Sequence, residues 1–245
     1  MRRKLIAGNW KMNGLSRDLV EVERLRGAIG QPEADILICP PATLIARMVR
    51  IAEGAPFAIG GQDCHWAPAG AHTGDISARM LADAGATAVI LGHSERRADH
   101  GETSELVARK VAAARQAGLL AIVCVGETEA ERDAGRTLEV VGAQLRASLP
   151  PGVDPRGLAV AYEPVWAIGS GRTPTRAEIA AVHEGLRATL AASFGPAAEG
   201  MRILYGGSVK PGNAAEILAL PGVDGALVGG ASLRAEDFAA IIAAA

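Results

Sequence analysis

Short runs of Val, Ile, Leu and Ala recur along the chain at Lys4–Asn9, Asp35–Cys39, Phe57–Gln62, Ala88–His93, Leu120–Val125, Leu158–Glu163, Ile203–Gly206 and Gly225–Gly229. Most of these runs are nearly continuous in apolar residues, the pattern of strands buried on both faces of a parallel sheet. Between them the spacing becomes helical. Leu19, Val22, Leu25 and Ile29 share one face of a first helix; Leu106, Lys110 and Val111 open a second that continues through Ala114; Ile179, Val182, Leu186 and Leu190 line a third. A further helical stretch, Leu138–Leu149, follows an acidic turn. Local signals agree: Ser16 is placed to cap the first helix, Thr175 and Glu178 have capping-box spacing, and Gly30, Gly54 and Gly118 stand where helices end.

Strict alternation of strand and helix implies parallel strands joined by right-handed crossovers. Eight repeats in 245 residues predict an α/β fold, a single (β/α)8 barrel occupying residues 1–245 as one domain. A doubly wound sheet is the runner-up. It usually has fewer strands, and no GxGxxG opens a helix after the first strand; Gly169-Ser170-Gly171 is the nearest fragment.

Composition narrows the function. Lys and Arg number 25 against 27 Asp and Glu, a net charge of −2, which argues against a nucleic-acid partner. Cys39, Cys64 and Cys124 form no CxxC pair and are odd in number, as expected of a reduced, cytoplasmic protein. After Arg2-Arg3-Lys4 the apolar run is too short for a secretory signal. No stretch approaches the ~18 apolar residues of a membrane span. Glycine is in excess, 30 residues, or about 12% against a typical ~7%.

In a barrel of this kind the chemistry sits at the C-terminal strand ends. The first strand ends in Asn9 and Lys11, the fourth in His93, the sixth in Glu163; the seventh and eighth end in Gly206-Gly207-Ser208 and Gly229-Gly230. A cation, an imidazole, a carboxylate and two glycine turns on one rim suit proton transfer on an anionic substrate. One glycine pair by itself usually just turns the chain, but two at adjacent strand ends point to phosphate held by backbone N–H groups. Glu163 directly after an apolar strand is costly to bury unless paired or used as a general base. His93 precedes Ser94-Glu95-Arg96, which has the makings of a helical turn whose dipole disfavours protonation. Glu127 competes as a base, but the charged stretch after it favours a solvated or salt-bridged role. The histidines and cysteines show no ligand spacing, so no metal is predicted.

Five blocks then stand out: Gly8-Asn9-Trp10-Lys11-Met12-Asn13-Gly14, Gly92-His93-Ser94-Glu95-Arg96-Arg97, Ala161-Tyr162-Glu163-Pro164-Val165-Trp166-Ala167-Ile168-Gly169, Tyr205-Gly206-Gly207-Ser208-Val209 and Val228-Gly229-Gly230-Ala231-Ser232-Leu233. Together, in order and at strand ends, they closely resemble the triosephosphate isomerase family, whose fold is the TIM barrel. The resemblance implies interconversion of dihydroxyacetone phosphate and glyceraldehyde 3-phosphate without a cofactor. By matching positions, Glu163 is the base, His93 the neutral electrophile and Lys11 a charge stabiliser. Asn9 orients substrate oxygens, N–H groups of Gly169, Ser208, Gly229 and Gly230 hold the phosphate, and Glu95 stands behind Lys11 and His93. Pro164, Val165 and Trp166 become the hinge of a lid whose tip runs through Ala167, Ile168, Gly169 and Gly171, latched by Tyr205 and Ser208.

Gly70-Ala71-His72-Thr73-Gly74-Asp75 resembles a loop that inserts into a second subunit, with Thr73 at its tip, so the resemblance implies a homodimer. Departures from the family pattern are Ser170, Arg172-Thr173-Pro174, and Asp63 after Gln62. The first two bear on the lid and the third on the subunit contact. Two other functions compete: an isomerase of a four-carbon ketose phosphate using the same proton transfer, and a non-catalytic sugar-phosphate-binding barrel. Retention of both Glu163 and His93 speaks against the second.

Overall fold

In a computed structural model, residues 2–168 and 172–245 are described. Eight strands, β1 (Leu5–Asn9), β2 (Asp35–Cys39), β3 (Ala58–Gly61), β4 (Ala88–Leu91), β5 (Leu120–Val125), β6 (Leu158–Tyr162), β7 (Arg202–Tyr205) and β8 (Gly225–Val228), close into one barrel in sequence order. All pairs are parallel, and β1 closes on β8 with Leu5 opposite Gly225 and Gly8 opposite Val228. The helices are α1 (Leu19–Ala28), α2 (Ala42–Ala52), α3 (Ala78–Asp83), α4 (Ser94–Asp99), α5 (Ser104–Gln116), α6 (Glu129–Asp133), α7 (Thr137–Ser148), α8 (Arg176–Phe194), α9 (Ala214–Leu218) and α10 (Ala235–Ala243). Among the described residues, no helix is long and apolar enough to cross a membrane.

The near-continuous apolar runs split into two cores by strand parity. Leu5 and Ala7, Leu37 and Cys39, Ala88 and Ile90, Ile122 and Cys124, and Ala159 and Ala161 fill the barrel interior with Leu204 and Leu227. The alternate residues, such as Ile6, Ile38, Val89, Val123, Val160 and Ile203, pack outward on the helices. The glycines expected at helix ends all adopt positive φ: Gly30 at 50°, Gly54 at 72° and Gly118 at 79°. The Thr175–Glu178 capping box forms on α8, with the Thr175 N–H donating to Glu178 at 2.7 Å and the Glu178 N–H donating to the Thr175 hydroxyl at 3.2 Å.

Ser16 is a correction. It lies in a 3-10 turn, Ser16–Asp18, and does not cap α1. Asp18 is the local anchor, accepting the Leu15 N–H at 2.7 Å, while the Ser16 hydroxyl accepts from Arg47. Asp18 turns back to Leu15 and the serine hydroxyl is taken by Arg47, so α1 begins without a side-chain cap.

His183, on the inner face of α8, is fully buried against Tyr162. Its Nδ1 lies 3.0 Å from the Gly222 carbonyl oxygen and therefore carries the proton, leaving Nε2 bare and, among the described residues, without a partner. Burial pushes its pKa down to about 4 from 6.5, against the opposing pull of the Gly222 carbonyl. The unfolded chain takes up a proton near the ordinary value and the folded chain does not. The stabilisation is therefore complete above pH 6.5 and is lost as pH falls toward 4, a change of about 3 kcal/mol for this group. Urea titrations should show that His183→Gln removes this part of the decline between pH 7 and pH 4.

Candidate active site

Strand parity delivers the first two groups. Asn9 continues the inward row Leu5, Ala7, and Glu163 continues Ala159, Ala161, so both enter the C-terminal mouth by the same alternation that builds the interior. On β4 the alternation is reset. Gly92 takes φ 66°, and a Cβ there would meet Val107 at 2.8 Å. The turn lets His93 face the mouth as the residue that caps α4.

The mouth is a cleft of about 760 Å³ bordered by Asn9, Lys11, His93, Glu163, Ser208 and Gly230, with Glu95, Ile168 and Gly229 also on its wall. Asn9, His93 and Glu163 are buried. His93 Nε2 lies 2.7 Å from a Glu163 oxygen, and the other Glu163 oxygen accepts the Ser94 N–H at 3.1 Å. His93 Nδ1 accepts the Glu95 N–H at 3.2 Å, so the ring's proton is on Nε2 and is donated to Glu163. Burial opposes charging this imidazole, but the Glu163 and Glu95 carboxylates outweigh it and raise its pKa above the usual value. The helix end is therefore only part of its electrostatics: it fixes the tautomer, while two anions pull toward protonation.

Lys11 is, among the described residues, the one non-glycine with positive φ, 53°. Such a conformation costs on the order of 1–2 kcal/mol, and its surroundings hold it there. The Lys11 N–H donates to Asn9 Oδ1 at 2.9 Å, Gln62 Nε2 donates to the Lys11 carbonyl at 2.8 Å, and Trp10 Nε1 donates to the Ser232 carbonyl at 3.0 Å. The ammonium is paired with Glu95 at the rim of the cleft.

The two glycine pairs have different reasons. A Cβ at Gly206 would meet Glu163 Cγ at 2.9 Å, and one at Gly207 would collide with the Tyr205 hydroxyl. These glycines border the cleft but exist for close packing. At Gly230 a Cβ would meet nothing within 4 Å, and at Gly229 only Lys11, at 3.6 Å. Their backbone lies open to the cleft at the start of the 3-10 turn Gly230–Leu233. Gly230→Val should leave the fold intact while filling this space, raising the KM of a phosphate-bearing substrate at least tenfold with a smaller effect on kcat. Steady-state kinetics beside thermal unfolding check this.

Glu127 is a second correction. It is neither solvated nor salt-bridged but buried, accepting the Tyr162 hydroxyl at 3.1 Å and Trp166 Nε1 at 2.9 Å. Burial raises its pKa against those two donors. It ties the segment after β6 to the end of β5. In that segment Pro164 and Ala167 are buried, Val165 and Trp166 half-buried, and Ile168 reaches the cleft. Gly169 and Gly171 lie outside the described residues. The Tyr205 hydroxyl is buried with no partner among the described residues. Asp63 is engaged within the chain, 2.8 Å from Lys110 and 3.0 Å from Arg96. Thr73 is exposed and does not reach this chain's own cleft.

Two other features carry less. His65, His72 and Asp75 bring possible metal-ligating atoms within 4.8 Å of one another. However, His65 Nδ1 accepts the Ala67 N–H at 3.0 Å, which leaves the ring proton on Nε2, the atom facing Asp75. A ligating imidazole donates from its second nitrogen, so the trio does not fit a metal; the His65 ring stacks on Trp66 and packs against His72. A cavity of about 420 Å³ at the opposite barrel mouth is bordered by Arg3 and Arg202, but both are paired with Asp35, at 2.8 and 2.6 Å.

Comparison with known proteins agrees with this layout. The family model described as triosephosphate isomerase matches residues 4–245. A triosephosphate isomerase of Jannaschia sp. (strain CCS1) is 64% identical, covering 100% of this chain and 98% of that one. One from Ruegeria pomeroyi is 63% identical with the same coverage. The crystal structure of triosephosphate isomerase from Bartonella henselae superposes with a TM-score of 0.92 at 47% identity, over 98% of this chain and 97% of that one. A family match over nearly the whole chain, the closed eight-stranded barrel and the site residues at its strand ends agree: the chain belongs to the triosephosphate isomerase family.

Proposed function

We propose that the chain interconverts dihydroxyacetone phosphate and D-glyceraldehyde 3-phosphate, a step of glycolysis and gluconeogenesis, by proton transfer through an enediolate. The observation that carries the reading is the Glu163–His93 pair, 2.7 Å apart, in a cleft with open glycine backbone and one lysine on its walls. The N–H groups of Gly229, Gly230, Ser208 and Gly169 hold the phosphate, leaving the three-carbon chain to reach toward Glu163. Glu163 leaves the Ser94 N–H and takes the proton from the carbon next to the carbonyl. The His93 Nε2–H, released from Glu163, turns to the substrate oxygen. Once Glu163 holds a proton its charge is gone, and with it the main influence raising His93, so the imidazole acts neutral. It moves a proton between the two oxygens, and Glu163 returns its proton to the neighbouring carbon. Lys11 and Asn9 offset the oxyanion as it forms.

The segment Pro164–Thr173 acts as a lid, excluding water from an intermediate that otherwise loses phosphate. The relatives' names favour a triose phosphate over a four-carbon ketose phosphate. A coupled assay comparing kcat/KM for the two substrates tests this directly; a preference for the four-carbon substrate would overturn it.

The working unit is a homodimer in the cytoplasm. Support comes from exposed apolar side chains: Ile76 and Met80 follow the Thr73 loop in the chain, and Met12, next to Lys11, is 96% exposed. The three cysteines are all free and buried, in keeping with a reducing compartment, where disulfides are rare. Sedimentation should give a dimer, and shortening residues 70–75 should give a folded monomer with at least 100-fold lower turnover. A fully active monomer at nanomolar concentration would contradict this.

A further inference from the structure

The ladder between β4 and β5 ends at Leu91, opposite Val123. Beyond it the chain turns at Gly92 to begin α4, and the gap to β5 is spanned by a half-buried side chain from that helix. Arg97 Nε donates to the Gly92 carbonyl at 2.8 Å, and its Nη2 donates to the Cys124 carbonyl at 3.1 Å. Two hydroxyls brace the same guanidinium. Ser104, at the start of α5, accepts from Nη1 at 3.1 Å, and the fully buried Ser148 on α7 accepts from Nη2 at 3.1 Å. All four acceptors are neutral, and among the described residues Arg97 forms no salt bridge. Burial lowers its pKa, yet a guanidinium stays charged in proteins. A cation held there without a counter-charge is costly.

Both carbonyls lead to the proton-transfer pair. Gly92 directly precedes His93. One residue past Cys124, the Val125 carbonyl accepts the Glu163 N–H at 2.8 Å. At Gly126 the two segments touch, since a Cβ there would meet the Glu163 carbonyl oxygen at 1.8 Å. Gln144 shares a face of α7 with Ser148. It locks Gly126, accepting its N–H at 2.9 Å and donating to its carbonyl at 3.0 Å. A continuous path therefore runs from His93 through Gly92, Arg97 and the end of β5 to Glu163. Gly92 also makes room for it: a Cβ there would lie 2.9 Å from Arg97 Nη2.

We propose that Arg97 is a positioning residue that fixes the spacing of His93 and Glu163 by tying the turn before His93 to the strand that seats Glu163. The proposal rests on the isomerase reading given above. Arg97 does not border the cleft, so it acts only through the groups it holds. Its bonds leave from three nitrogens of a rigid fork, which a lysine ammonium cannot reproduce. Its influence falls on the alignment of the pair and leaves the glycine wall at Gly229 and Gly230 alone.

Arg97→Met should lower kcat by about 10²-fold, the scale of a misplacement of about 1 Å, while KM and inhibition by inorganic phosphate stay within about twofold of wild type. Arg97→Lys, which keeps the charge and loses the fork, should remain at least tenfold below wild type. In Arg97→Ala, guanidinium chloride below unfolding concentrations should restore turnover saturably, and ammonium chloride should not. Arg97 and Glu163 both border a cavity of about 270 Å³ that admits the ion. A second readout needs no turnover. In substrate-free protein labelled with nitrogen-15 histidine, the His93 Nε2 proton, donated to Glu163 across 2.7 Å, should give a downfield resonance that Arg97→Met shifts or broadens.

Thermal unfolding separates these effects from loss of fold. Should Arg97→Met not fold, Arg97→Lys decides together with Ser148→Ala, which removes one brace and should lower kcat two- to fivefold. The proposal is overturned by folded variants with kcat within twofold of wild type, by KM and phosphate inhibition weakening as much as kcat falls, or by equal rescue with ammonium. Absence of isomerisation in the wild type would instead overturn the isomerase reading, and the histidine resonance would still test the positioning.

Discussion

Glu163→Gln is expected to lower kcat by about 10³-fold or more while KM changes little, because a general base contributes on the order of 10²–10⁴ and Glu95, another carboxylate on the cleft wall, is held by Lys11. The amide keeps the size of the carboxylate and one oxygen to accept the Ser94 N–H, now 3.1 Å from Glu163. It cannot accept a proton from carbon. Glu127 offers no substitute, since it is buried and occupied by Tyr162 and Trp166. The measurement is kcat and KM by coupled assay, together with exchange of the substrate's carbon-bound hydrogen for solvent deuterium, which should fall in parallel. Turnover within tenfold of wild type would sink the assignment.

The second large effect belongs to Lys11→Met. Methionine preserves the stem and tolerates the same φ of 53° no worse than lysine, so the backbone cost is unchanged and only the charge is removed. The loss is double. The developing oxyanion loses a cation, a contribution of about 10²–10³ in rate for a comparable single donor. In addition, Glu95 is left beside the cleft without its partner, where it repels a dianionic substrate. Both kcat and KM should therefore worsen, with kcat/KM falling by about 10³–10⁴. This differs from the KM-dominated effect expected at Gly230. Adding Glu95→Gln to Lys11→Met should recover part of the KM and none of the kcat. If the double variant is no better than the single, repulsion by Glu95 is not part of the effect.

The barrel was legible because strands covered on both faces must be nearly continuous in apolar residues, and each such run in the sequence coincides with a strand to within two residues at either end. The site residues on strand ends were legible for the same reason: a polar residue directly after such a run has nowhere to go but the rim. What escaped was set by partners distant in sequence. Glu127 is followed by Thr128-Glu129-Ala130-Glu131-Arg132, which looks solvated. Its actual partners, Tyr162 and Trp166, lie 35 and 39 residues away. Nothing in a lysine announces the left-handed backbone of Lys11, which is imposed by Asn9 and Gln62. The two glycine pairs look alike in sequence, and only the neighbours of their missing Cβ atoms tell packing from an open face. Ser16 escaped because its hydroxyl is taken by Arg47, 31 residues away, a partner that local spacing does not show.

The parity that carries Asn9 and Glu163 inward also divides the chain into positions that can change length and positions that cannot. A single residue inserted into β6 would rotate Glu163 from the mouth to the helix layer and turn its neighbour inward, moving the base and the interior packing together. There is no intermediate register in which the base is half placed. Insertions beyond the rim leave the parity of every strand untouched. Variation in this scaffold is therefore confined by geometry to the loops, which leaves room to alter what enters the cleft while the proton-transfer pair at its floor stays where it is.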